Sequence, residues 1–237
     1  SSAASDVYKR QDRTTVEKAE KMKVGTCLNP LHTALAVYGC LLGYTSIAAE
    51  MGDADLKALV EHIAAESLPV VEDPGILSPR AFIDEVLHER FPNPAIPDTP
   101  QRIAADTSQK LPVRYGGTLR RYARQSEQAL AGLEFAPLVF AGWCRYLLGV
   151  DDRGNAMPVS PDPMLPQLQA HLKGIEVGRP DSLAGQLRPI LSNAALFGVD
   201  LYAAGLGERT EEMFRDMLAG PGAVRATLHS NCACKQP

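Results

Sequence analysis

Apolar residues recur at helical spacing along most of this chain of 237 residues. Between residues 53 and 65, Leu56, Leu59, Val60 and Ile63 fall on one stripe of a helix. No segment alternates apolar and polar residues convincingly, as a half-buried strand does. The pattern therefore predicts a single all-α domain, with helices at residues 31–42, 53–65, 80–91, 99–107, 112–131, 135–148, 163–172, 182–192 and 208–219.

Capping residues and prolines mark the helix boundaries. Ser78 followed by Pro79 is a typical helix start, because a serine hydroxyl accepts backbone hydrogen bonds and proline tolerates the first helical position. Proline and glycine also interrupt the chain at residues 73–75, 93–94 and 220–222. These signals support separate helices joined by short turns.

Charge and hydropathy exclude several classes of protein. The net charge is −4 and the acidic and basic residues are interspersed, which argues against nucleic-acid binding. The longest apolar runs, at residues 34–42 and 135–140, are shorter than the roughly 20 residues that cross a bilayer. The start of the chain lacks a signal-peptide pattern. The five cysteines are an odd number scattered along the chain, which fits a reducing compartment without disulfide bonds. The sequence predicts a cytoplasmic protein that binds neither membrane nor nucleic acid.

The chain contains no G-x-G-x-x-G motif between a strand and a helix. Its nearest glycine pair, Gly116 and Gly117, opens a predicted helix and follows no strand. We therefore expect that the chain has no dinucleotide-binding domain of its own.

The densest polar cluster in an apolar neighbourhood lies at residues 21–32. It contains Lys21, Lys23, Asn29 and His32. Asn29 followed by Pro30 is a good helix N-cap, and a histidine in the first turn of a helix is favoured in its neutral form. From the residues alone, a structural role and a functional role both stay open.

Three blocks of sequence resemble the mannitol dehydrogenase family, the long-chain polyol dehydrogenases that include fructuronate and tagaturonate reductases. The segment KVGTCLNPLHTALA (residues 23–36) resembles the family signature of a lysine, an asparagine and a histidine three residues further on. ERFPNPAIPDT (residues 89–99) and RIAADTSQKLP (residues 102–112) follow in the family's order. The resemblance covers roughly residues 15–115, and the rest of the chain carries less distinctive motifs.

The resemblance implies roles for five residues. Lys23 is the expected catalytic base, which takes the proton of the alcohol during hydride transfer. Asn29 donates to the developing alkoxide, and His32 binds a neighbouring hydroxyl. Arg102 and Lys110 bind substrate hydroxyls or a carboxylate, and we expect them close to Lys23. Asp98 is either a helix cap or a residue of this site.

The resemblance also implies a fold and a reaction. Residues 12–237 resemble the all-helical C-terminal domain of the family, and NAD is bound mainly by an N-terminal Rossmann domain that the sequence lacks. The implied reaction interconverts a keto-sugar acid and its polyol acid, as fructuronate and mannonate. The alternatives are fructose and mannitol, or a helical binding module without catalysis. We expect no turnover by the chain alone.

The sequence departs from the family pattern at two places. The family has five positions from lysine to asparagine, whereas Lys23 lies six before Asn29 and Val24 holds the fifth position. Either a local bulge restores the geometry, or Lys21 or Lys23 acts from a different backbone position. Ala105 stands where some members have a histidine, so one substrate contact is absent.

The two ends of the chain give no further site. Residues 1–11 share no pattern with the rest and are interpreted as a non-native leader. His229, Cys232 and Cys234 are crowded together without a distant fourth ligand, so we predict no metal site and an unstructured tail. Trp143, Cys27 and Cys40 are predicted to lie in the core.

Overall fold

The computed structural model describes residues 13–233, and this part of the chain is helical and contains no strand. Two isolated β-bridges join Val150 to Ala156 and Glu176 to Arg179. The predicted all-α fold is confirmed. The α-helices are α1 (Arg13–Met22), α2 (Asn29–Leu42), α3 (Ile47–Glu50), α4 (Ala54–Ser67), α5 (Pro79–Glu85), α6 (Pro100–Ile103), α7 (Thr107–Arg114), α8 (Gly116–Gln125), α9 (Glu127–Ala131), α10 (Phe135–Tyr146), α11 (Leu165–His171), α12 (Arg188–Leu191), α13 (Ala194–Phe197), α14 (Gly207–Met217) and α15 (Ala223–Cys232).

Shorter turns complete the helical structure. Lys23–Cys27 and Val86–Arg90 are π-helical, while Leu68–Val70 and Pro180–Ser182 are 3₁₀-helical. Ser78 caps α5 by accepting from the Ala81 amide at 3.3 Å, as predicted. Among the helices described, none is long and apolar enough to cross a membrane.

Helices α2 and α10 form the centre of the core, since both are buried on nearly every side. Tyr38 of α2 donates its hydroxyl to the Leu138 carbonyl of α10 at 2.7 Å. A Cβ atom at Gly142 would lie 2.6 Å from the Tyr38 ring, so only glycine allows this approach. The predicted core positions Trp143, Cys27 and Cys40 are buried.

A partly buried carboxylate stabilises the start of α10. Glu66 accepts hydrogen bonds from the backbone amides of Glu134, Phe135 and Ala136. The first amides of a helix have no partner within it, and a negative charge at that end is favourable. Glu66 therefore caps α10 from helix α4, 68 to 70 residues earlier in the chain.

The C-terminal segment is helical, so the expected unstructured tail is wrong as far as Cys232. The carboxylate of Asp152 accepts from the amides of Val224 and Arg225 and so caps α15. Residues 1–11 and Cys234 lie outside the described residues. Within residues 13–233, no three His, Cys, Asp or Glu side chains are grouped as metal ligands.

Candidate active site

A π-helical turn leads into the first candidate block. The Leu28 amide donates to the Lys23 carbonyl at 3.0 Å, five residues back instead of four. Such a turn holds one residue more than an α-helical turn, and π-turns are frequent at functional sites. The structure thus contains a local bulge between Lys23 and Asn29, where the sequence has one residue more than the family spacing.

Asn29 is the first residue of α2 and is not its cap. The cap position is Leu28, which makes no side-chain hydrogen bond, and Pro30 is the second helical residue. The interpretation of Asn29 as an N-cap is therefore wrong. Its side chain makes no hydrogen bond with the described part of the chain and remains able to donate to a bound oxygen.

His32 lies one helical turn further along α2 and is buried. Its Nε2 atom is 3.5 Å from Oδ2 of Asp98 and has no hydrogen-bond partner among residues 13–233. The ring packs against Phe91, with 5.2 Å between the ring centroids. A buried ring nitrogen without a partner is costly, so this atom is suited to bind a substrate hydroxyl.

Burial also sets the charge of His32. It lowers the pKa of the imidazole to about 4; the Asp98 carboxylate opposes the shift, and Arg114, Arg90 and Arg102 add to it. The ring is therefore neutral near pH 7, with one nitrogen that donates and one that accepts.

Asp98 contacts two of the candidate residues and does not cap α6. Thr99 takes the capping role, because its hydroxyl accepts from the Arg102 amide at 3.2 Å. Asp98 forms an ion pair with Arg102, four residues later, and faces His32 on its other oxygen. Its side chain is only 17% exposed, whereas that of Arg102 is 65% exposed. Asp98 thus contacts both His32 and Arg102.

Lys110 lies on α7, beside α6. Its Nζ atom donates to the carbonyl of Ile103, the residue that follows Arg102, at 2.8 Å. Burial lowers the pKa of Lys110, and the positive charge of Arg114 lowers it further. The cationic crowding that the sequence predicted around Lys23 is therefore seen at Lys110.

Arg114 is a functional candidate that the sequence analysis missed. Its Nη1 atom donates to the Thr33 hydroxyl at 2.6 Å, and Thr33 is the neighbour of His32 on α2. The only signal in the sequence is its position four residues after Lys110, on the same face of a helix.

The two candidate bases lie in different surroundings. The Nζ atom of Lys23 lies 5.7 Å from the centroid of the Phe82 ring. Lys21 lines an open groove of about 820 Å³. The described hydrogen bonds and ion pairs do not join Lys23 to Arg102 or Lys110. The role of Lys23 as the base stays a prediction.

The groove lies between α1, the π-turn and helices α7 and α8. Val24 and Val113 are exposed at 37% and 59%, and both line it. Its basic lining comes from Lys21 and from the arginines of α8, which are Arg120, Arg121 and Arg124. Glu20 and Glu72 also line the groove, and Glu72 forms an ion pair with Arg121. The groove therefore combines exposed apolar surface with an excess of basic over acidic side chains.

Comparison with known proteins assigns this helical domain to a class of polyol dehydrogenases. The chain resembles the Pseudomonas fluorescens mannitol 2-dehydrogenase, solved as a ternary complex with NAD and D-mannitol, with a TM-score of 0.73 and 28% identity. That comparison covers 93% of this chain and 41% of the other. The profile of the Mannitol dehydrogenase C-terminal domain matches residues 15–212. The chain belongs to the mannitol dehydrogenase family and corresponds to its C-terminal domain.

The chain is also similar in sequence to two oxidoreductases of this family. The D-mannonate oxidoreductase of Thermotoga maritima is 57% identical over 217 residues, which are 92% of this chain and 40% of that protein. The mannitol 2-dehydrogenase of Emericella nidulans is 36% identical over 200 residues, which are 81% of this chain and 35% of that protein. The chain thus spans about two fifths of the length of these relatives.

Proposed function

We propose that the chain is the substrate-binding and catalytic-base domain of an NAD-dependent oxidoreductase that interconverts a keto-sugar acid and its polyol acid. Fructuronate and mannonate are the pair that we favour. The observation that carries the proposal is that Asp98 contacts both His32 and Arg102, while Asn29 lies one turn before His32 on the same helix and Lys110 donates to the carbonyl of the residue after Arg102. The identity of 57% to a D-mannonate oxidoreductase supports the choice of a sugar acid.

Each residue has a task in this proposal. Oxidation of a secondary alcohol requires that a base take the hydroxyl proton, and we assign this role to the side-chain amine of Lys23, which becomes an ammonium group when it accepts the proton. Asn29 donates a hydrogen bond to the oxygen as its negative charge develops. Neutral His32 orients the substrate through a neighbouring hydroxyl. Arg102 and Lys110 bind its more distant polar groups.

The residues of the groove fit a dinucleotide cofactor. Arg120 and Arg124 form no ion pair with the described residues and would hold anionic phosphates, while Val24 and Val113 offer apolar surface to a flat ring. NAD bound there would supply the acceptor for the hydride of the alcohol carbon. In this proposal a nucleotide-binding domain supplies most of the contacts to the cofactor.

Two other functions remain to be tested against this one. A mannitol 2-dehydrogenase would use the same base and amide on a neutral sugar, and the relative from Emericella nidulans supports that alternative. A binding module without catalysis would not need candidate residues that are linked to each other. The ion pair and near contact that connect His32, Asp98 and Arg102 favour an active site.

The proposed function is tested with the full-length enzyme that carries this domain. We expect NADH-dependent reduction of D-fructuronate at a higher kcat/KM than that of D-fructose or D-tagaturonate. Lys23→Ala should lower kcat about 100-fold or more, with a smaller effect on KM, because proton transfer takes place in the transition state. The loss of alcohol oxidation towards low pH should disappear in this variant.

Lys21→Ala is the matched control for the assignment of the base. It removes a lysine from the same segment, and we expect it to preserve the pH profile of alcohol oxidation. If Lys21→Ala abolishes activity while Lys23→Ala leaves both rate and pH profile intact, the base is Lys21. An enzyme that reduces only D-fructose would instead support the mannitol 2-dehydrogenase alternative.

A further inference from the structure

Arg114 brings a partly buried positive charge to the candidate active site. It is the last residue of α7, one helical turn beyond Lys110. Its Nη1 atom donates to the hydroxyl of Thr33, which is buried beside His32. This hydrogen bond holds the guanidinium group at the end of α2 that carries Asn29.

The charge of Arg114 has no counter-ion in the described part of the chain. Arg102 is paired with Asp98, and Arg225 is paired with Asp53 and Asp55, whereas no carboxylate lies within ion-pair distance of Arg114 among residues 13–233. A partly desolvated cation without a partner is unfavourable, and burial lowers the pKa of this guanidinium. An anion at this place would remove the cost.

The hydrogen-bonding capacity of Arg114 is also largely unused. A guanidinium group has five N–H donors in a planar fork, and the bond to Thr33 uses one of them. None of its nitrogen atoms is both fully buried and without a partner, so the remaining donors are open to a ligand. A carboxylate matches this geometry with two parallel hydrogen bonds.

We propose that Arg114 binds the carboxylate of the keto-sugar acid and thereby selects sugar acids over neutral ketoses. The proposal rests on the proposed function and names the residue that gives it its substrate class. Lys110 lies on the same face of α7 and adds a second positive charge near the bound anion. The bond to Thr33 fixes the direction of the fork before the substrate arrives.

The other two cations of the site are less suited to this role. The charge of Arg102 is already balanced by Asp98, and its side chain is mostly exposed, where salt and water weaken an ion pair. Lys110 already donates to the Ile103 carbonyl and offers a point charge in place of a fork. We assign them to substrate hydroxyls and to the support of Arg114.

The experiment compares an acidic and a neutral substrate in the full-length enzyme. In Arg114→Gln, kcat/KM for D-fructuronate should fall about 10- to 100-fold, mainly through KM, as expected for the loss of a charge-assisted hydrogen-bonded pair. The value for D-fructose should change less than about 3-fold, since its hydroxymethyl group carries no charge. Arg114→Lys should restore part of the loss. The dissociation constants of D-mannonate and D-mannitol provide a second readout with the same expected selectivity.

Arg90→Gln is the charge-matched control. Arg90 is exposed, and its charge also acts on His32, so this variant removes one positive charge near the site without removing the fork of Arg114. Its preference for the acid should be unchanged. Equal losses for both substrates in Arg114→Gln would show that Arg114 only connects α7 to α2 and would overturn the proposal. An unmodified enzyme that is inactive on D-fructuronate would refute the proposed function itself.

Discussion

Glu50 provides the sharpest test of the energetics of this fold. It is the last residue of α3, is fully buried, and neither carboxyl oxygen has a hydrogen-bond partner among the described residues. Burial, together with the negative charge of Asp53, raises its pKa from the ordinary 4.5 to about 9. Near pH 7 this side chain is therefore a neutral carboxylic acid in the folded protein.

The shift has a defined consequence for stability. Between pH 4.5 and about 9, the folded state binds a proton at Glu50 that the unfolded state has released. The stability contributed by this group is fully present below pH 4.5 and is lost as the pH rises towards 9. The free energy of unfolding should fall by about 1.4 kcal/mol per pH unit in this window, or about 4 kcal/mol over three units.

Glu50→Gln removes the titration and keeps the size of the side chain. Urea unfolding of the chain and of the variant, followed by circular dichroism between about pH 5 and pH 8, gives the free energy of unfolding by linear extrapolation. The contributions of other titrating groups cancel when the free energy of unfolding of the chain is subtracted from that of the variant. This difference should increase with pH, because only the unsubstituted chain loses the stability contributed by Glu50. Glu85→Gln removes an exposed carboxylate as a control. Parallel curves for the chain and Glu50→Gln would refute the reasoning.

Three further predictions concern the core and the site. Gly142→Ala should lower the free energy of unfolding by about 2 kcal/mol, because the new methyl group collides with Tyr38. In the control Gly117→Ala the new methyl group meets no atom within 4 Å, so this variant should not lose stability. Equal losses in urea unfolding would contradict the prediction. Between pH 6.5 and about 4, only the unfolded state binds a proton at His32, so the folded chain should lose up to about 3 kcal/mol of stability as the pH falls through this range. His32→Asn should reduce this loss. Acid titration followed by circular dichroism measures the loss, and an acid unfolding curve that the substitution leaves unchanged would disprove the prediction. Glu66→Ala should cost about 2 kcal/mol or more by leaving three amides of α10 without a partner, and urea unfolding that matches the parent would contradict it.

The sequence predicted the helical class well because helix periodicity is a local property. It predicted less well where distant residues decide the structure. Helix α15 was missed since its cap, Asp152, lies about 70 residues earlier in the chain. The interruption between α6 and α7 was predicted at residues 108–111 but lies at residues 104–106, where Asp106 adopts a left-handed backbone conformation while its amide donates to the Pro161 carbonyl. Such contacts leave no periodic signal.

In the candidate site, too, local features could be predicted from the sequence and contacts between distant residues could not. The spacing of Lys23 and Asn29 indicated that a bulge was possible, and a π-turn is found there. Asp98 was left undecided because Asp and Thr are both good helix caps, and only the structure shows that Thr99 takes that role. Arg114 was missed because its importance depends on Thr33, 81 residues away, and on the lack of a counter-ion in the described part of the chain.

The burial of α2 has a consequence for how a substrate enters. We expect the amide protons of such a buried helix to exchange with solvent mainly through global unfolding, so Asn29 and His32 lie on a helix that opens rarely. Arg102 lies on α6, a single helical turn of four residues with far fewer backbone bonds to break. Local opening is therefore expected on the Arg102 side alone. In the proposed function, a substrate would enter by displacing that turn, while Asn29 and His32 keep their positions.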